Sequence, residues 1–137
     1  MPNPSIYQQQ AEFNEQTAKA AQAGFPDWAV IMCFYAALHW VNDYAFRQGD
    51  IKNFENDDDS DSPHKRRRMY VKKIAKQNKW NDLEEAYELL YRVSMTARYL
   101  EGLEKQNCTA REHYAKNGVQ FCFEYLETIK KRLIQKS

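Results

Sequence analysis

The scarcity of helix-breaking residues limits what this chain can fold into more than any other feature. Its 137 residues include only four glycines and four prolines, and three of those prolines lie within the first 26 residues. Proline and glycine are the residues that the interior of an α-helix tolerates least, so long segments are left free to be helical. A chain of this length normally forms one domain with a buried core. We therefore predict a single all-α domain over residues 1–137.

Apolar residues at helical spacing divide the chain into five amphipathic segments. The most apolar of them begins near Pro26 and has the character of a central helix with neighbours on several sides. We predict helices over residues 5–23, 25–46, 63–78, 81–101 and 110–135. Short connections between them favour an up-and-down bundle of four to five helices. The exception is an acidic segment at about residues 48–61, which is predicted to be a mobile loop.

The overall charge of the chain favours no particular class of partner. Lysine and arginine total 20 and aspartate and glutamate 19, so the net charge is +1, and any preference for anions has to be local. We expect Cys33 and Cys122 to be reduced thiols packed in the core. The spacing of the histidines and cysteines fits no zinc site, and no metal or cofactor is predicted. No apolar segment has secretory or membrane-spanning character, which predicts a soluble, cytoplasmic protein without membrane partners.

The charge pattern changes abruptly from acid to base in DDDSDSPHKRRR, residues 57–68. Ser62 and Pro63 have the character of an N-cap and a first helical residue. The helix that follows carries eight lysines and arginines between residues 65 and 79 and no acid. We predict either a solvated basic face that pairs with the acidic loop or a surface that binds RNA phosphates.

His64 stands three and four residues before Arg67 and Arg68, so a helix presents its imidazole beside guanidinium groups. Metal-free cleavage of RNA needs such a combination, because a base near neutral pKa takes the 2′-hydroxyl proton and a fixed cation stabilises the charge on the phosphorane. On this hypothesis we assign catalytic roles to His64 and Arg68, with the solvated helix as the alternative. His39, in the most apolar segment, is instead predicted to be a hydrogen-bonded core residue.

A second candidate edge lies on the helix predicted over residues 81–101. Its members recur at helical spacing and are Tyr87, Tyr91, Ser94 and Arg98. Aromatic rings stack on bases and arginine binds phosphate, while half-buried core tyrosines are the alternative. We add Arg98 to the catalytic candidates on the hypothesis that it converges with His64 across adjacent helices. The candidates for binding nucleic acid or phosphate are Arg66, Arg67, Lys72, Lys73, Tyr91, Ser94 and Tyr99.

Three stretches of the sequence resemble a known family. FYAALHWVNDY at residues 34–44 is similar to the core signature of HEPN domains, and SPHKRRR at residues 62–68 and LYRVSMTARYLEG at residues 90–102 resemble a bacterial HEPN subgroup. HEPN domains are small bundles of four to five helices. The resemblance covers most of the chain in helix order and implies this fold, together with a homodimer formed through the helices.

The resemblance also implies several classes of function. Many members are metal-independent ribonucleases, and others partner a nucleotidyltransferase or bind RNA or nucleotides without catalysis. Active members carry an arginine followed four to six residues later by a histidine, and no arginine stands at that distance before His39, His64 or His113. We predict an RNA- or nucleotide-binding protein, with ribonuclease activity in a toxin–antitoxin or defence system as one outcome. The other is a non-catalytic helical dimerisation module for a separately encoded enzyme.

Overall fold

The computed structural model describes residues 3–54 and 62–134, and apart from short connections it is helical throughout these ranges. The α-helices there are α1 (Ile6–Ala21), α2 (Pro26–Gln48), α3 (Pro63–Asn78), α4 (Asn81–Tyr99), α5 (Ala110–Asn117) and α6 (Gln120–Leu133). Two short 3₁₀ helices, Ile51–Phe54 and Glu104–Gln106, lie in the connections. The prediction of an all-α helical bundle is confirmed. None of these helices is long and apolar enough to cross a membrane.

Helix α2 occupies the centre of the bundle, where it packs against α1, α4 and α6. Its sequence is apolar on nearly every side, as expected of a helix with neighbours all around it. Ala29, Ala36 and Ala37 are fully buried, and their small side chains let the neighbouring helices approach closely. The helix ends at Gly49, which has a φ of 80° and so takes the left-handed conformation that glycine adopts without steric cost.

An ion pair with a buried carboxylate joins three helices near their ends on one side of the bundle. Asp43 is 2% exposed and accepts hydrogen bonds from Ser5 Oγ at 2.6 Å and from Arg47 Nε at 2.9 Å. Arg47 Nη2 also donates to the backbone oxygen of Leu133 at 2.6 Å. Ser5 is the N-cap of α1 and Leu133 is the last residue of α6. Because a buried charge deprived of its partner is strongly destabilising, this pair fixes α1 and α6 relative to α2.

The start of α3 agrees with the sequence analysis. The Ser62 side chain accepts a hydrogen bond from the backbone N–H of Lys65 at 3.2 Å, and Pro63 is the first helical residue. His64 is therefore the second residue of α3. The predicted burial of Cys33 and Cys122 is also confirmed, since both are 0% exposed.

One predicted helix is wrong. The closing helix predicted over residues 110–135 is in fact two helices, because the chain bends at Gly118, which has a φ of 81° and a ψ of 167°. This backbone conformation is open almost exclusively to glycine. The loop predicted from about residue 48 follows the end of α2 at Gln48, and it includes the 3₁₀ turn Ile51–Phe54. The acidic part of that loop, residues 55–61, lies outside the described residues.

Candidate functional site

Phe34 is the point at which α2, α3 and α4 meet. Its ring is fully buried, and the rings of His64, Tyr87 and Tyr91 lie 5.8, 5.8 and 5.7 Å from it, centre to centre. The guanidinium carbon of Arg98 lies 5.8 Å from the same ring centre. We call these five residues the Phe34 cluster. His64 and Arg98, which stand on different helices, are thus brought to a common aromatic ring.

The surroundings of His64 favour its neutral form. Burial lowers the pKa of His64 from its ordinary value of 6.5, and the positive charges of Arg67 and Arg98 lower it further. The imidazole is therefore neutral at pH 7 and a weaker base than the ring of a free histidine. Its buried Nδ1 has no hydrogen-bond partner within the two described ranges. A buried polar atom without a partner is energetically costly, and catalytic sites are one of the settings in which such atoms occur.

Arg98 is held in a fixed position by its neighbours. Its Nη1 donates to Tyr35 Oη at 3.0 Å and its Nη2 donates to Ser94 Oγ at 3.3 Å. Its guanidinium carbon also lies 5.2 Å from the ring centre of Tyr99, which is 60% exposed. Ser94, proposed above as a direct contact to nucleic acid, is 0% exposed and donates its hydroxyl to the Tyr91 carbonyl at 2.7 Å. Since it has no surface for a ligand, its role is to position Arg98.

Arg68 forms a two-point ion pair across the α3–α4 interface. Its Nε donates to Glu88 Oε1 and its Nη2 to Glu88 Oε2, both at 2.9 Å. Its guanidinium carbon lies 4.4 Å from the ring centre of Tyr91, a cation–π distance. The hydrogen bonds to Glu88 raise the pKa of Arg68 further above its usual value. Tyr91 thus contacts both Arg68 and the Phe34 cluster, to which it belongs.

The Arg68–Glu88 pair lies in a groove of about 420 Å³ between α3 and α4, which we call the α3–α4 groove. The lining side chains are Lys65, Arg68, Met69 and Lys72 from α3, and Glu84, Glu88 and Arg92 from α4. Four of them are cationic and two are acidic, so the lining carries a net positive charge. Such a surface attracts phosphate groups.

The two other arginines of α3 face away from this groove. Arg67 Nε donates to Asn42 Oδ1 at 2.9 Å, and burial lowers the pKa of Arg67. Arg66 Nη1 donates to the backbone oxygen of Phe54 at 3.2 Å. These bonds anchor α3 to α2 and to the 3₁₀ turn, which gives both arginines a structural role where the sequence predicted contact with phosphate. Lys73, the remaining candidate, is exposed.

His39 is hydrogen-bonded, as the sequence analysis predicts for a core residue. Its Nδ1 lies 3.3 Å from the Asn42 amide nitrogen. Burial lowers the pKa of His39, and the charge of Arg67 adds to this effect. His39, Asn42 and Arg67 therefore form a connected polar group beneath α3.

Phe34 and Glu88 are the central residues of the site that sequence reasoning missed. Phe34 has the appearance of one more apolar residue in an apolar helix. Glu88 could have been found, because Glu84 and Glu88 are four residues apart on one face of α4. That acidic face matches the spacing of Lys65, Arg68 and Lys72 on the preceding helix, as in two antiparallel neighbours.

Comparisons of the chain with protein-family models, curated proteins and solved structures found no match. Within residues 3–54 and 62–134, no three histidine, cysteine, aspartate or glutamate side chains are grouped closely enough to hold a metal ion. A function therefore has to be inferred from the Phe34 cluster and the α3–α4 groove.

Proposed function

We propose that this chain is a HEPN-like RNA- or nucleotide-binding protein that cleaves RNA without a metal ion. The observation that carries the proposal is the shared contact of His64 and Arg98 with the ring of Phe34. A neutral imidazole and a fixed guanidinium group, packed against one aromatic ring, are the two kinds of side chain that metal-free cleavage requires. A toxin–antitoxin or defence system in the cytoplasm is the setting that fits this activity.

His64 is the acid–base residue in this proposal and Arg98 stabilises charge. The neutral imidazole takes the proton from a ribose 2′-hydroxyl, and the 2′-oxygen attacks the adjacent phosphorus. The bond to the 5′-oxygen breaks, that oxygen takes a proton from water, and a 2′,3′-cyclic phosphate remains. Arg98 interacts with the negative charge that develops on the phosphorane, and its bonds to Tyr35 and Ser94 hold it in place beforehand.

Cleavage of single-stranded RNA in EDTA tests the catalytic proposal. We expect the parent protein to cleave, and His64→Ala and Arg98→Ala each to lower the rate by about a hundredfold or more. His113→Ala and Arg111→Ala are matched controls, because they remove the same side-chain types from α5. Circular dichroism of each variant checks that the fold is retained. Cleavage that persists in His64→Ala would contradict the assigned role.

A non-catalytic helical module is the second candidate, and a specific observation favours it. Arg68 is engaged by Glu88 and Arg98 by Tyr35 and Ser94, so both guanidinium groups already have partners within the chain. In this case the protein forms a homodimer that partners a separately encoded enzyme, such as a nucleotidyltransferase. A stable dimer without cleavage in the same assay supports this candidate over the ribonuclease.

A further inference from the structure

The ion pair in the α3–α4 groove has the geometry that an arginine offers to a phosphate group. A guanidinium edge donates two parallel N–H bonds to a carboxylate or to a phosphate in much the same way. In this protein the Nε–Nη2 edge of Arg68 is occupied by the two oxygens of Glu88, each at 2.9 Å. Glu88 therefore stands where a phosphate oxygen pair would bind.

We propose that the α3–α4 groove binds the backbone of single-stranded RNA, and that Glu88 is an internal competitor that holds Arg68 until a phosphate replaces it. The inference rests on the proposed binding of RNA or nucleotide. It adds the place of the phosphate contact and a residue that sets the affinity.

The exposure of the pair makes this exchange feasible. The side chain of Arg68 is 37% exposed and that of Glu88 is 25% exposed, so water screens the pair and can solvate each charged group once the two separate. Glu88 can turn toward water without leaving a charge buried. Tyr91 lies 4.4 Å from the guanidinium carbon, and this cation–π contact with Arg68 does not involve Glu88.

The length of the groove favours an oligonucleotide over a single nucleotide. Lys65 and Lys72 are seven residues apart on α3, which corresponds to about 10 Å along the helix axis. Together with Arg92 they place positive charge along both walls of the groove. A charged row of this length fits successive phosphates of one strand.

Two single substitutions test the competitor role. Glu88→Gln removes the competing charge and weakens the hold on Arg68, while Glu84→Gln makes the same charge change one helical turn away in the same groove. Binding of a fluorescein-labelled single-stranded RNA oligonucleotide is measured by anisotropy at low and at physiological salt. We expect Glu88→Gln to tighten binding by about fivefold and Glu84→Gln by about twofold, with both gains smaller at the higher salt.

The Arg68→Ala background separates competition from a general charge effect. If Glu88 acts by competing for Arg68, its substitution should give no more than the twofold gain of Glu84→Gln once Arg68 is absent. A fivefold gain that persists without Arg68, equal gains in the two single variants, or weaker binding by Glu88→Gln would each overturn the competitor role.

ATP is the second probe. If the parent binds ATP and the RNA with equal affinity, and Glu88→Gln tightens the binding of both by the same factor, the assignment of the groove to the RNA backbone is overturned.

The outcomes distinguish this inference from the proposed function. If Glu88→Gln tightens RNA binding more than Glu84→Gln does and the parent does not cleave RNA in EDTA, the competitor role is supported and the ribonuclease proposal is overturned. Equal gains from both glutamates together with cleavage support the ribonuclease and overturn the competitor. No RNA binding by the parent or any variant overturns both. Circular dichroism melts of all variants confirm that each comparison is made between folded proteins.

Discussion

The surroundings of single residues decide the chemistry available to His64 on α3 and to His39 beneath it. An exposed histidine titrates near pH 6.5, but His64 packs against Phe34 and Tyr91 and His39 is half-buried in the bundle. Burial is the main cause that lowers the pKa of both, and the charge of Arg67 acts on both in the same direction. Packing of the bundle therefore favours the neutral form of both imidazoles.

We expect the protein to lose stability as the pH falls below about 6.5. The unfolded chain binds protons at His64 and His39 more readily than the folded chain, because both pKa values are lowered on folding. Their contribution to the free energy of unfolding is complete above pH 6.5 and decreases as the pH falls through 6.5 toward the lowered values. Urea unfolding between about pH 8 and about pH 5 measures this dependence, above the range in which carboxylates dominate.

Substitution of His64 by Gln should flatten that pH dependence. His113→Gln is the control, because the ring of His113 lies edge-on to Tyr114 on α5, with 4.8 Å between ring centres, away from the Phe34 cluster. Its curve gives the change produced by a histidine substitution outside the Phe34 cluster, and the His64→Gln curve should be the flatter of the two. Parallel curves for His64→Gln and the parent would show that His64 does not contribute to the pH dependence.

Consecutive residues of an element can have unrelated roles, and α3 illustrates this. Arg66, Arg67 and Arg68 bond respectively to Phe54, Asn42 and Glu88. Successive side chains are separated by about 100° around a helix, so three adjacent arginines necessarily face three directions. The three consecutive arginines are therefore divided between two anchors and one groove residue.

The break between α5 and α6 depends on a single residue, Gly118. Gly118→Ala should lower the free energy of unfolding by about 1–3 kcal/mol, because alanine is strained at a φ of 81° and a ψ of 167°. Gly24→Ala is the control, since an added Cβ meets open space there and no left-handed φ is required. It should change stability by less than about 1 kcal/mol.

Urea unfolding at neutral pH measures both glycine variants. A Gly118→Ala protein as stable as the parent would mean that residues 110–135 can form one continuous helix, as the sequence periodicity predicts. A loss confined to Gly118→Ala supports the two-helix arrangement.

The molecule as a whole buries two of its three thiols in the core around α2. Cys33 and Cys122 are 0% exposed, while Cys108 is half-exposed outside the helices. Burial raises the pKa of Cys122 to about 12 and that of Cys33 well above its ordinary range. Neither core thiol forms a thiolate at neutral pH, so neither reacts in the folded state.

A thiol reagent such as dithionitrobenzoate should therefore modify one of the three cysteines rapidly in the native protein and all three in urea. The Cys108→Ser variant should show no rapid reaction, and its slow reaction then reports opening of the whole core. Rapid reaction of a second cysteine in the native state would contradict the packing of α6 on α2.

The sequence by itself determined the all-α class, the starts of α1 and α3 and the burial of Cys33 and Cys122. These features follow from local rules, because breaker content, capping and helical periodicity act within a few residues of the chain. The bend at Gly118 was missed, because a glycine within a periodic segment is compatible with a continuous helix and with a break.

Only the tertiary structure decided which residues meet. Phe34 gathers His64 and Arg98 from two other helices, and Glu88 occupies the binding edge of Arg68. Periodicity fixes the face of a helix on which a residue lies, but the identity of its neighbour depends on how the helices are rotated and offset against one another. That arrangement is set by packing of the entire core, and no single segment of the sequence contains it.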